Sequence, residues 1–181
     1  MSKKIVVLTS SPRKDGNSNT AAEAFVKIAK ASGHDVIRFD AAENHVHGCK
    51  ACDKCFSNGK ACDNDDDFNK IAPDLETADA IVFAVPLYWF TFPAQIKAVI
   101  DKFYSLASEG KDFSGKECGM IVCCEDDNIT TMEPIVQTYK GIIDYLEWND
   151  LGVVLITGVA KPGDINKTDG IIQTEELAAK F

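Results

Sequence analysis

The stretch that decides the fold is Lys4-Ile5-Val6-Val7-Leu8-Thr9, followed directly by the polar run Ser10-Ser11-Pro12-Arg13-Lys14-Asp15-Gly16-Asn17-Ser18-Asn19-Thr20. A short apolar run rich in β-branched residues is typical of a buried strand. After the polar run, apolar residues recur at helical spacing and predict a helix over residues 19–32.

The same alternation continues along the chain. Strands are predicted at residues 4–9, 35–39, 80–85, 116–124 and 152–157, and further helices at 66–75, 93–108, 132–147 and 174–180. Alternating strands and helices predict an α/β fold with a five-stranded parallel sheet covered by helices on both faces.

Composition and charge narrow the range of functions. With 181 residues and 45% apolar side chains, the chain is predicted to form one domain over residues 1–181. The net charge of −9 argues against nucleic-acid or anionic-membrane partners. The longest apolar run, residues 80–90, is too short to cross a bilayer, and the amino-terminal apolar run is too short for a signal peptide. We therefore expect a cytoplasmic protein whose thiols stay reduced.

The segment after the first predicted strand has the composition of a phosphate-binding loop. Hydroxyls, side-chain amides, a glycine and two cations precede a helix start, where free N–H groups bind anions. The expected contacts are Ser10, Pro12, Arg13, Asn17, Ser18, Asn19 and Thr20. The segment matches neither the dinucleotide-binding glycine motif nor the P-loop. A plainer interpretation is a polar loop in which Ser or Asn caps the helix.

The segment after the third predicted strand is aromatic. Its expected ligand contacts are Pro86, Leu87, Tyr88, Trp89 and Phe90. Rings at a strand end can stack on a flat ligand, although a hydrophobic plug or a dimer contact would also use them. In the strand order 2-1-3-4-5 both segments flank the point where the order reverses, which is where such sheets bind ligands. A phosphate loop facing an aromatic loop fits flavin mononucleotide (FMN), and another planar phosphorylated ligand would match equally.

These segments together resemble the flavodoxin-like NADPH-dependent FMN reductases. The resemblance spans residues 4–104, returns more weakly at 152–165, and is carried by Ser10-x-Pro12-Arg13-x-x-Gly16-Asn17-Ser18, Pro86-Leu87-Tyr88, Pro93-Ala94-x-x-Lys97 and Asp101-Lys102-Phe103. It implies a flavodoxin-like fold with strand order 2-1-3-4-5, FMN held between the two loops, and NAD(P)H as cosubstrate. It also implies a third flavin contact after the fourth strand, at Cys124 and Glu125.

Four of the seven cysteines cluster in the predicted loop over residues 40–64, as Cys49-x-x-Cys52-x-x-Cys55-x6-Cys62. This spacing resembles that of the iron–sulfur flavoproteins, a branch of the same fold, and the resemblance implies a 4Fe-4S cluster near FMN. Three other interpretations stay open. They are a zinc site that could draw on His45 or His47, a thiol–disulfide switch, and a loop without metal. Cys118, Cys123 and Cys124 are expected to be small buried residues.

The sequence thus predicts an FMN-dependent enzyme. Electrons would pass from NAD(P)H through flavin to a quinone, a flavin or an iron–sulfur acceptor. Because the flavin carries the chemistry, no catalytic acid or base is assigned. The alternative is an electron carrier between protein partners, such as a ferredoxin-like protein, with no small-molecule substrate of its own. A homodimer or homotetramer is expected.

Overall fold

Five parallel strands form the centre of the protein in a computed structural model that describes residues 1–108 and 111–181. The strands are β1 (Lys4–Thr9), β2 (Asp35–Asp40), β3 (Ala80–Pro86), β4 (Glu117–Cys123) and β5 (Asn149–Ile156). Their order in the sheet is β2-β1-β3-β4-β5, and every neighbouring pair is parallel. The predicted topology is confirmed.

Six α-helices are found among the described residues and cover both faces of the sheet. They are α1 (Asn17–Ala31), α2 (Phe68–Thr77), α3 (Ala94–Asp101), α4 (Phe103–Leu106), α5 (Glu133–Tyr145) and α6 (Gly170–Ala178). On one face, Phe83 of β3 packs in a core with side chains of α2, α3, α4 and α5. On the other face, Val82 of β3 packs with Phe25 of α1 and Leu177 of α6. Consecutive strand residues point to opposite faces, so the apolar runs supply both cores.

The helix predicted over residues 93–108 is wrong in one respect, because it is broken at Lys102. This residue ends α3 with φ −86° and ψ −3° and precedes α4. Its ammonium group is buried against the carboxylate of Asp66, in the segment before α2. The break therefore comes from a tertiary contact that local periodicity cannot show.

The other helix boundaries shift by a few residues. The first helix begins at Asn17, two residues earlier than predicted, because Gly16 is already extended and ends the preceding loop. The last helix begins at Gly170, four residues earlier than predicted. A Cβ at Gly170 would lie 2.8 Å from Ile156 Cδ1, so glycine allows this helix start to pack closely on β5. No helix within the described ranges is long and apolar enough to span a bilayer.

Candidate functional site

A cleft of about 220 Å³ lies at the carboxyl edge of the sheet, where the strand order reverses between β1 and β3. Ligands of such sheets bind at this place. Four loops form its walls, and they follow β1, β3, β4 and β5. The lining residues are Ser11, Arg13, Gly16, Asn17, Ser18, Pro86, Leu87, Tyr88, Cys123, Cys124, Glu125, Val159, Ala160 and Pro162.

The wall after β1 presents open backbone donors. The first backbone bond of α1 runs from Thr20 N–H to Gly16 O (3.0 Å), so the three preceding N–H groups have no partner within the helix. Gly16 provides no side-chain cap, and a Cβ there would lie 2.7 Å from Ser11 Oγ and 2.9 Å from Arg13 O. Arg13 adds a cation at the rim. This arrangement fits an anion such as a phosphate group.

Only some of the residues predicted for this wall line the cleft in the structure. Arg13, Asn17 and Ser18 line the cleft, and so do Ser11 and Gly16, which were not among the expected contacts. The side chains of Asn19 and Thr20 bond to the loop backbone, with Asn19 Nδ2 donating to Arg13 O (2.9 Å). Pro12 is exposed outside the lining, and the buried hydroxyl of Ser10 has no partner in the part of the chain that the structure describes.

The wall after β3 ends in a two-residue hairpin. Tyr88 and Thr91 exchange both backbone hydrogen bonds at 3.1 Å, and the two residues between them, Trp89 and Phe90, have φ of +46° and +67°. Pro86, Leu87 and Tyr88 line the cleft, whereas Trp89 is 91% exposed and Phe90 50% exposed. The predicted aromatic loop is therefore divided between a cleft wall and a projecting tip.

The walls after β4 and β5 complete the cleft. Cys124 and Glu125, where a third flavin contact is expected, line the cleft together with Cys123. Burial raises the pKa of the Cys123 thiol to about 12 and also raises the pKa of Cys124, so both are neutral thiols near neutral pH. Cys118 is buried as well, which agrees with the expectation for these three cysteines.

A second, much smaller pocket of about 20 Å³ brings together the four clustered cysteines. Cys49, Cys52, Cys55 and Cys62 all line it, and neither His45 nor His47 does. Burial is the largest cause of the raised pKa of Cys55, and the neighbouring Cys62, Cys49 and Cys52 contribute as well. The four sulfurs thus share one electrostatic environment. Within the described ranges, no set of three or more His, Cys, Asp or Glu side chains is placed to hold a metal ion.

The backbone of the cysteine loop contains several left-handed residues. Ala51, Asp53 and Phe56 have φ between 48° and 57° although none is glycine. Left-handed residues within a turn direct successive N–H groups into a concave surface, a feature of many phosphate and iron–sulfur sites. One of these groups, the N–H of Ala51, donates to Cys49 Sγ at 3.4 Å. Four thiols and a turn of this kind are the donor chemistry and backbone that thiolate-bound anionic clusters use, although the side chains are not arranged around a metal in the described residues.

Polar contacts, one of them a buried ion pair, close the base of this loop. Asp66 and Lys102 form an ion pair in which each side chain is 1% exposed. Asp66 also accepts the backbone N–H of His47 (2.9 Å), and Asp67 accepts that of His45 (2.8 Å). The loop is therefore tied to the junction of α3 and α4.

The sequence profile of the flavodoxin-like fold family matches residues 3–178, nearly the whole chain. The chain belongs to this family. It is 34% identical over 113 residues to an iron-sulfur flavoprotein of Methanosarcina thermophila, covering 62% of this chain and 58% of that protein. It is 29% identical over 111 residues to an FMN-dependent NADH:quinone oxidoreductase of Bordetella parapertussis, covering 56% of this chain and 53% of that protein. The matches thus span little more than half the length of either relative.

The fold is also shared with solved flavodoxin-like structures. An NAD(P)H:quinone oxidoreductase from Methanothermobacter marburgensis superposes with a TM-score of 0.80 at 15% identity, covering 98% of this chain and 95% of that one.

One wall of the cleft in our flavodoxin-like protein was not predicted from the sequence. It is the wall after β5, formed by Val159, Ala160 and Pro162. The signal was available, because the carboxyl end of β5 must reach the same sheet edge as the other three loops.

Proposed function

We propose that this protein is an FMN-dependent oxidoreductase that takes hydride from NAD(P)H and passes the electrons to a quinone, a flavin or an iron–sulfur acceptor. The observation that carries the proposal is the cleft at the strand-order reversal. It sets an open helix start on one wall against Leu87 and Tyr88 on the other. The relative from Bordetella, whose name specifies FMN and NADH, supports the same assignment.

The roles of the residues follow from the walls of the cleft. The N–H groups of Asn17, Ser18 and Asn19 and the hydroxyl of Ser11 would hold the phosphate, and Arg13 would balance its charge. Leu87 and Tyr88 would face the flavin ring. Trp89 and Phe90, which lie outside the lining and are exposed, would act at the rim of the cleft.

Bound FMN would accept two electrons as hydride and release them singly or in pairs. The protein would contribute binding, orientation and a partly dry environment, with no side chain assigned as acid or base. NAD(P)H would be oxidised to NAD(P)⁺, and a quinone acceptor would take up two electrons and two protons.

Titration of the flavin-free protein with FMN tests the proposal, with Arg13→Gln and Lys14→Gln as a matched pair. Arg13 lines the cleft, whereas Lys14 lies in a separate surface pocket beside Asn19 and Arg38. We expect one FMN per chain, weaker binding in Arg13→Gln, and unchanged binding in Lys14→Gln. Steady-state oxidation of NADH and NADPH with a soluble quinone then tests turnover. A protein that takes up no FMN would contradict the proposal.

The cysteine pocket favours a second candidate, an iron–sulfur flavoprotein that carries electrons between protein partners. Its four thiols and left-handed turns fit a 4Fe-4S cluster, and the relative from Methanosarcina carries the corresponding name. Iron and sulfide assays on anaerobically purified protein test the cluster, with about four irons per chain expected. Fast electron exchange with a ferredoxin, without turnover of NAD(P)H, would select the carrier over the enzyme.

The proposal also covers the oligomeric state of the protein and the cellular compartment in which it works. Free thiols in one loop require a reducing compartment, so we assign the protein to the cytoplasm. The projecting Trp89 and Phe90 offer apolar contact area for a homodimer or homotetramer. Light scattering coupled to gel filtration measures the assembly directly.

A further inference from the structure

We propose that Asn17 is a positioning residue whose side chain holds the β5 loop, residues 157–165, in place as the fourth wall of the cleft. The inference rests on the proposed function, since it concerns how the cleft binds flavin. It assigns the side chain of Asn17 a role different from direct contact with phosphate.

All the hydrogen-bonding groups of the Asn17 side chain are directed at the β5 loop. Its Nδ2 donates to Val159 O at 3.1 Å and to Lys161 O at 3.0 Å. Its Oδ1 accepts the N–H of Ile165 at 3.2 Å. The residue is only 8% exposed, so these bonds are shielded from water. Two donors and one acceptor are thereby matched to three backbone groups of one loop.

On the side that faces the expected phosphate site, other residues hold the β5 loop less firmly than Asn17 does. Arg13 Nη1 reaches Ala160 O at 3.3 Å, but this contact is exposed. Toward β4, Val159 N–H donates to Cys124 O at 2.9 Å, which fixes one end of the loop. The buried side chain of Ile165 fixes the other end in the core. Asn17 thus fixes the middle of the loop, where Ala160 and Pro162 line the cleft.

Asn17 joins two walls because it is the first residue of α1. Its backbone N–H belongs to the open helix start, while its side chain extends to the β5 loop. Displacement of the loop would therefore open the cleft beside the phosphate site without changing the helix start itself. Aspartate has the same shape as asparagine, but an ionised carboxylate would face the carbonyl oxygens of Val159 and Lys161 and repel them.

Two variants, Asn17→Ala and Asn17→Asp, test the proposal through amide exchange of the protein without flavin. We expect the Ile165 amide to exchange at least tenfold faster in Asn17→Ala than in the wild type at pH 8, whereas the carboxylate of Asn17→Asp can still accept this N–H. Amides in the centre of β1 should keep their protection, which shows that the variants are folded. Unchanged exchange at Ile165 in Asn17→Ala would overturn the proposal. This measurement needs no flavin, so it stands even if the proposed function fails.

Binding of FMN and of riboflavin separates loop displacement from simple charge repulsion. We expect both variants to bind both flavins at least tenfold more weakly at pH 8. Weaker binding of FMN alone, confined to Asn17→Asp, would indicate repulsion of the phosphate and would overturn the positioning role. Wild-type protein that binds neither flavin would contradict the proposed function instead.

The pH profile of Asn17→Asp gives a third readout. Below the pKa of the introduced carboxylic acid, its hydroxyl can donate to one of the two carbonyls. We expect riboflavin affinity to recover severalfold as the pH falls from 8 to 5 in Asn17→Asp, with no recovery in Asn17→Ala. Parallel profiles in the two variants would contradict the hydrogen-bond geometry.

Discussion

The cleft and the cysteine pocket are built in different ways. Each wall of the cleft continues a strand, and the register, with Thr9 opposite Ala84 and Pro86 opposite Cys123, sets those strand ends side by side. The cysteine pocket instead is lined mostly by residues 49–64, which lie outside the helices and strands, with Tyr104 of α4 as its one lining residue from a helix. One site is positioned by the sheet and the other by a few side chains. The cysteine pocket should therefore be the easier of the two to lose.

The largest expected effect is loss of the proposed iron–sulfur cluster from Cys52→Ala. Removing one of the four thiols that line the pocket would leave an iron without its protein ligand, so we expect iron and sulfide to fall to background. FMN binding should change by less than about twofold, because Cys52 does not line the cleft. Iron assay, sulfide assay and FMN titration on the same sample measure both sites.

Cys118→Ala is the matched control for that experiment. Cys118 is buried in β4, where Tyr139 donates to its sulfur at 3.2 Å, and it lies outside the cysteine loop. Its iron content should equal that of the wild type. Equal loss of FMN and iron in Cys52→Ala would show that the two sites do not form independently.

A smaller effect is expected from Lys102→Met, which removes one partner of the buried ion pair at the base of the cysteine loop. The Asp66 carboxylate would stay buried without its cation, and such a change costs about 3–5 kcal/mol of unfolding free energy. Urea denaturation measures this loss. Limited proteolysis should detect the cysteine loop opening before the sheet unfolds.

The control for Lys102→Met is Lys97→Met on the same helix. Lys97 pairs with Asp101 at 2.5 Å, but both side chains are almost half exposed, so its loss should cost at most about 0.5 kcal/mol. Equal effects of the two substitutions would contradict the anchoring role of Lys102.

The same contrast explains how much could be predicted from the sequence. Buried apolar runs such as residues 80–85 mark strands directly, and parallel strand ends bring their loops to one edge, so the position of the two loops after β1 and β3 followed from pattern alone. The break at Lys102 and the bonds of Asn17 to the β5 loop each join residues far apart along the chain. The left-handed conformation of Ala51 has no glycine or asparagine to signal it. Local propensity carries none of this information.

Gly16→Ala tests the precision of the cleft itself. The added Cβ would lie 2.9 Å from the backbone oxygen of Arg13, so the loop must shift at the open helix start. We expect FMN to bind about tenfold more weakly, equivalent to about 1.4 kcal/mol, measured by fluorescence titration. The iron content should stay constant, because the cysteine loop is anchored elsewhere.

Gly141→Ala provides the comparison in the exposed part of α5. A Cβ there meets nothing within 4 Å, and replacing a helical glycine should stabilise the protein by about 0.5–1 kcal/mol. Its FMN affinity should equal that of the wild type. If Gly16→Ala also binds FMN normally, the glycine is not required for close approach of a phosphate.

The smallest effect concerns the hairpin tip of the aromatic loop, which has a strained backbone beside the cleft. Trp89 and Phe90 both have positive φ, a conformation that two-residue hairpins usually give to Asn-Gly. The double substitution Trp89→Asn and Phe90→Gly should therefore raise the unfolding free energy by about 1 kcal/mol, measured by urea denaturation without flavin. FMN binding or turnover should fall at the same time if the exposed rings serve the ligand or an assembly. A stabilised variant with unchanged binding, turnover and assembly would show that the strain serves none of these.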